Sequence, residues 1–364
     1  MNQTDAAESA DRLLRSARWM PNSDAKLQLV ERAVRLADAE NDEELAFDAR
    51  LVLTETAAMT LDSNKRIVSF AWCLNRFEQE PDRFARGAYS LMWWFKGVGE
   101  DMARFPRISR EEIEQVHTRM ERIYQQHDYG LRPVYASLLD VALMVGDKPA
   151  ADSHYEAWKS ERKDGMNDCP ACETNRALEY LVLREKHKAA FRKAAPNLDG
   201  RQQCGSGDTF QRTVVQLLRP LVLDGDDQQA DELQQRAHGQ LRRPTVNLCQ
   251  AAVHMAHLTH RDDRVKALRV FERFLPRALD PPAPDQQLRF YLASEVLMRR
   301  LATTGRSRKM RLPRSFPLYD ESGSYRPAEL ADWFEAESRQ LIQQFDRRNG
   351  NDFYSREVPK QYVY

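Results

Sequence analysis

The feature that most constrains this chain is a repeat. A short polar turn followed by a helix opening on small residues recurs at Gly146-Asp147, Glu185-Lys186, Gly225-Asp226 and Asp262-Asp263, at intervals of about 36–40 residues. Helix hairpins stack at that period, because one hairpin cannot bury its apolar stripe alone and must lay it against a neighbour. Ala150-Ala151, Ala189-Ala190, Ala230 and Ala267 stand early in each second helix. Small side chains there let paired helices approach closely. The expected fold is all-α: a right-handed α-solenoid of antiparallel helix hairpins, tetratricopeptide-like (TPR-like).

Hairpins are expected at 131–145 with 149–162, 172–184 with 187–195, 209–223 with 228–241, and 245–259 with 264–279. Upstream, Ser23 caps a helix bearing Leu27, Val30, Val34 and Leu36, and Ser109 with Glu112 forms a capping-box pattern. The expected organisation is a helical segment at 1–22, N-terminal hairpins at 23–128, regular hairpins at 129–280, capping helices at 281–349, and a tail at 350–364 that frays or packs as an extended segment. The capping region carries a basic loop with Arg306, Arg308, Lys309, Arg311 and Arg314.

Composition narrows the class. No run among the 364 residues approaches the roughly 18 apolar residues of a membrane span, and the polar, acidic start lacks a leader's apolar core. Five cysteines, an odd number in a chain this long, do not read as a disulfide framework. A cytoplasmic location is expected, with no membrane contact. Formal charge sums to zero; residues 1–163 carry 28 acidic and 23 basic side chains, the rest 27 and 32. That asymmetry is too small to indicate nucleic acid.

Two further stretches stand out. One runs from Phe105-Pro106-Arg107-Ile108-Ser109 through Glu112 to Met120-Glu121-Arg122-Ile123-Tyr124. The other is Asp168-Cys169-Pro170-Ala171-Cys172-Glu173, followed by Gln203-Cys204. Together they resemble a family of uncharacterised bacterial TPR-like helical-repeat proteins with a C-x-x-C motif, over roughly residues 20–300. The resemblance implies an α-solenoid and a binding role.

Cys169 and Cys172 precede one first helix, and Cys204 precedes the next. First helices of stacked hairpins run side by side, so their starts are neighbours and the three thiols converge. Three readings stay open: a structural zinc site, a reversible disulfide, or idle thiols. His238 is the candidate fourth ligand, since its helix returns to the same edge. Helix-terminal amides favour a thiolate, which marks Cys172 as the most acidic thiol. Cys73 and Cys249 lie in apolar helical runs and are expected in the core.

The remaining candidates have plain structural readings. His254, His257 and His260 share a helix without a metalloprotease carboxylate and are expected on a partly exposed face. Glu111, Glu112 and Glu114 offset a helix dipole. Trp93-Trp94 belong with core packing. No nucleophile–base or metal set is complete, so no enzyme and no obligatory cofactor is expected. The leading expectation is a non-enzymatic scaffold binding a protein or peptide in its concave groove through Tyr135, Arg176, Tyr180, Arg212, Gln216 and Asn247. The alternatives are a redox- or zinc-responsive regulator using the thiols, and a basic-loop binder of an acidic or nucleic-acid ligand.

Overall fold

The computed structural model describes residues 3–243 and 246–364, with backbone alone for 3–8. The described residues form eighteen α-helices and a single two-stranded ribbon. In order they are α1 (Gln3–Arg18), α2 (Asp24–Ala39), α3 (Glu43–Thr60), α4 (Ser63–Gln79), α5 (Ala88–Phe95), α6 (Val98–Ala103), α7 (Arg110–Gln126), α8 (Arg132–Val145) and α9 (Lys148–Ser160). There follow α10 (Pro170–Leu183), α11 (His187–Leu198), α12 (Thr209–Leu223), α13 (Asp227–His238), α14 (Leu248–His260), α15 (Arg264–Leu279), α16 (Pro284–Ala302), α17 (Pro327–Asn349) and α18 (Phe353–Arg356). The fourth expected hairpin was to open at 245, which lies outside the described residues; α14 begins at Leu248. Among the described residues no helix is long and apolar enough to cross a membrane.

The turns explain why the chain folds back so regularly. Asn41, Leu61, Gly146, Glu185, Gly225 and Asp262 each end a helix in the left-handed region, with φ between 55° and 80°. In each case the next residue's N–H reaches back five positions, to the carbonyl of Ala37, Ala57, Ala142, Leu181, Leu221 or Leu258. This is the Schellman closure that satisfies an otherwise orphaned helix carbonyl. In five of the six, that next residue is an aspartate: Asp42, Asp62, Asp147, Asp226 or Asp263. Its carboxylate accepts the N–H three residues on, at 3.0–3.1 Å, and so caps the following helix. One residue stops a helix and its neighbour starts the next. At Glu185-Lys186 the second half is missing, and α11 has no side-chain cap.

The chain divides into two compact units: residues 1–102 with 113–138 and 158–167, and residues 103–112 with 139–157 and 168–364. In the first, α1 packs on α2, α2 on α3 and α3 on α4, around Leu14, Leu27, Val30 and Leu53. In the second, α10 packs on α11 and α12, α12 on α13 and α14, α14 on α15 and α16, and α16 on α17. Its main core runs from Leu248 and Met255 through Phe271, Phe290 and Phe334 to Phe345. A smaller cluster gathers Leu178, Ala190, Ala194, Val214 and Leu218.

Ala190 has no exposed surface within that smaller cluster. Ala190→Trp is expected to overpack it and cost about 1–3 kcal/mol, read as a lower urea midpoint. An unchanged midpoint would mean that the α10–α11 crossing has room to spare around this alanine.

One expectation about the C-terminal region needs correction. The tail at 350–364 neither frays nor runs extended: it forms α18 and a 3-10 turn (Pro359–Tyr362). Tyr354 and Tyr362 are buried, and Tyr354 stacks on Phe345 at 4.3 Å. The alternation of aromatics with charges in so short a segment hid this, because burial here depends on a surface supplied by distant helices. The basic loop is also anchored. Arg308–Lys309 pairs antiparallel with Ser324–Tyr325, and Met310, Leu312 and Phe316 insert into the core while Arg306, Lys309, Arg311 and Arg314 stay exposed.

Candidate thiol centre

Cys169 is the N-cap residue of α10, with extended backbone, and Pro170 follows in the first turn. Proline suits that position because its fixed φ is helical and its missing N–H would have no partner there. Cys172 therefore sits in the first turn of α10. Cys204 lies in the loop before α12. Its N–H donates to Thr209 Oγ1 at 2.9 Å, and its carbonyl accepts the N–H of Gly207 at 3.0 Å. Gly207 turns there at φ 70°, a conformation that side-chain-bearing residues resist. Arg243 clamps the Gly207 carbonyl at 2.7 Å, and Thr174 on α10 donates to Gln202 at 3.0 Å.

A buried polar knot sets the two helix starts side by side. Asn197 of α11 donates to the Ala171 carbonyl, to Asn175 and to Thr213 at 3.1–3.3 Å, and Thr213 donates to Asn175 at 2.7 Å. All three side chains are buried. These bonds tie α10 to α12 through α11 and favour one register, although the Asn197 amide oxygen itself is buried without a partner.

The result is convergence: the sulfurs of Cys169, Cys172 and Cys204 all lie within 4.8 Å of one another. Cys172 Sγ is 3.6 Å from Cys204 Sγ, and Arg212 of α12 places a guanidinium nitrogen 3.8 Å from Cys172 Sγ. Among the described residues no other group of three or more histidine, cysteine or carboxylate side chains is placed this way. The thiol of Cys172 donates to Cys204, and Ser206 adds further donors; together they outweigh burial and pull the Cys204 pKa down to about 4. The same hydrogen bond, with burial, pushes Cys172 up. The Arg212 guanidinium faces the other sulfur, that of Cys172, so the two thiols titrate as one coupled pair.

His238 is not part of the cluster. It packs at the end of α13 against Gln234, 3.3 Å away, and feels the charges of Lys266 and Asp263. The two nearby carboxylates are also engaged: Asp168 accepts from Arg176 at 2.8 Å, and Asp208 accepts from Ser206.

Four of the six expected groove residues have other partners. Arg176 is held between Asp140, through two hydrogen bonds of 2.8 and 2.9 Å, and Asp168. Tyr180 is buried, stacks on Tyr155 at 3.8 Å and donates to Asp152 at 2.8 Å; burial and that carboxylate push its phenol up to about 12. Asn247 closes a capping box with Gln250. Arg212 faces Cys172, while Tyr135 and Gln216 are half-buried. Sequence polarity marked these positions, but polarity serves an internal ion pair as well as it serves a ligand.

The other candidates resolve simply. Cys73 is buried, whereas Cys249 is only half-buried. His254 and His257, expected on a partly exposed face, are buried, and only His260 is exposed. Glu112 and Ser109 complete their capping box at 2.8 and 3.1 Å. Trp93 and Trp94 are half-buried; Trp93 stacks on Tyr89, and Lys96 lies 3.3 Å from its ring centre. A Ser–His contact, Ser137 Oγ to His117 Nε2 at 3.0 Å, is buried and serves packing. An open depression of about 430 Å³ is lined by Lys186, His187, Lys188, Arg192 and Asp224, with His187 paired to Asp224.

In comparisons with known proteins, no protein-family model and no curated protein matches this chain.

Proposed function

We propose that the chain is a right-handed, TPR-like α-solenoid acting as a non-enzymatic scaffold for a protein or peptide partner. The observation that carries this reading is the ladder of first helices, in which α10 touches α12, α12 touches α14 and α14 touches α16. A ladder of that kind leaves a continuous row of first-helix side chains along one face, the surface that helical-repeat proteins use for extended ligands. On α12 the half-buried Arg212 and Gln216 belong to that row.

The test is recovery of a stoichiometric partner from native lysate at low and at moderate salt, repeated with Gln216→Arg. A protein retained at both salts and lost with the variant is the expected result. Recovery of nothing but salt-labile nucleic acid would overturn the scaffold reading in favour of the basic loop around Arg311 and Arg314.

One observation favours a regulated scaffold over a passive one. The thiols lie where α10 meets α12, so a change in their bonding acts on the packing of successive hairpins.

A further inference from the structure

We propose that Cys169, Cys172 and Cys204 form a binding site for a thiophilic divalent cation, zinc above all, with three protein sulfurs as ligands and the fourth position open to solvent or an outside ligand. The proposal goes beyond the scaffold reading and does not depend on it.

Geometry is the first argument. Zinc–sulfur bonds of about 2.3 Å in a tetrahedron put the sulfurs about 3.8 Å apart. Here one pair stands at 3.6 Å and all three fall within 4.8 Å, so an ion is accommodated by small side-chain rotations. A disulfide requires about 2.05 Å and employs two sulfurs, leaving the third unexplained.

The surroundings are the second argument. A divalent ion with three thiolates carries one net negative charge. Arg212 beside Cys172 offsets it, as do the free amides at the start of α10. The Cys204 N–H donates to Thr209, and hydrogen bonds from Arg243 and Thr174 hold the loop in place. Such outer contacts orient metal ligands and tune their affinity. The absence of a fourth protein ligand follows from the neighbours: Asp168 and Asp208 are engaged by Arg176 and Ser206, and His238 stands elsewhere. An open position distinguishes this arrangement from closed four-ligand structural sites and makes the ion exchangeable. On binding, three sulfur–metal bonds replace the sulfurs' protons, which pass to solvent, and no electron is transferred.

The experiment uses the full chain, purified under reducing conditions with zinc or cobalt(II) supplied. Elemental analysis is expected to find about one equivalent of metal. The cobalt form is expected to show sulfur-to-metal charge transfer and intense tetrahedral ligand-field bands. Serine at any one of the three cysteines should weaken binding at least about tenfold, Arg212→Ala by about 10–100-fold, and Cys249→Ser not at all. Circular dichroism checks that each variant folds. If a serine variant does not fold, the cobalt spectrum of the unaltered chain decides. A folded, reduced protein that takes up no metal would overturn the proposal. So would metal retained when all three cysteines are serine, or a Cys172–Cys204 disulfide in place of metal.

Discussion

Asp285→Ala is expected to destabilise the protein by about 3–5 kcal/mol, because it strands buried positive charge. Asp285 is only 1% exposed. Its carboxylate accepts from Arg289 at 3.0 Å, from Tyr354 at 3.0 Å and from Arg104 at 3.3 Å. It thereby ties α16 to the C-terminal segment and to the chain around Arg104. Removing it leaves two largely buried guanidinium groups without their shared counter-charge, which costs more than the intact network contributes. Arg348 reinforces the same region by donating to the carbonyls of Ala103, Phe105 and Ile108. Urea denaturation is the measurement. The double variant Asp285→Leu with Arg289→Met is expected to recover part of the loss, because it removes the stranded charge as well as its partner. A single variant within about 1 kcal/mol of the parent would show that the network relaxes by admitting water.

Acidification gives the second large effect. His254 is fully buried on α14 and hydrogen-bonded to Gln211 at 2.7 Å. Burial, with the neighbouring His238 and His257, pulls its pKa down to about 3. The folded protein therefore holds this imidazole neutral, while the unfolded chain protonates it near the ordinary value of about 6.5. Because the folded pKa lies below the unfolded one, stability is intact above pH about 6.5 and is lost progressively as pH falls toward about 3. The slope is roughly 1–1.5 kcal/mol per pH unit for one such group. His257, hydrogen-bonded to Asp231 at 2.9 Å, is lowered by burial and adds in the same direction, as does His238. Urea midpoints measured between pH 7 and 4.5 are expected to fall steeply for the parent and less steeply for His254→Gln. Equal slopes would show that His254 is not the group responsible.

Much of the fold is legible because its signals are local. Helical period marks which residues turn inward, and a cap is a contact between residues three apart. The repeated left-handed residue followed by aspartate is also local: Asn41-Asp42 and Leu61-Asp62 use the same device as Gly146-Asp147 and Gly225-Asp226. Those two N-terminal copies carry no glycine, and a leucine at φ 63° has no compositional mark. The C-x-x-C at a helix start is equally readable, with Pro170 announcing the first turn.

What the tertiary structure alone decided is the identity of long-range polar partners. Hairpin spacing brings Cys204 near Cys172, but the bonds among Asn197, Asn175 and Thr213 that hold α11 between α10 and α12 are a choice among distant side chains. Arg212 and Arg176 were expected to line a ligand groove, yet they face a thiol and two aspartates. The same holds for the buried histidines of α14 and for Tyr354 against Asp285. By itself the sequence determined most of the helices and the proximity of successive helix ends, because these follow from period and from contacts between near neighbours. Which buried group pairs with which was decided only by packing, since a buried polar atom must find a partner wherever the folded chain brings one.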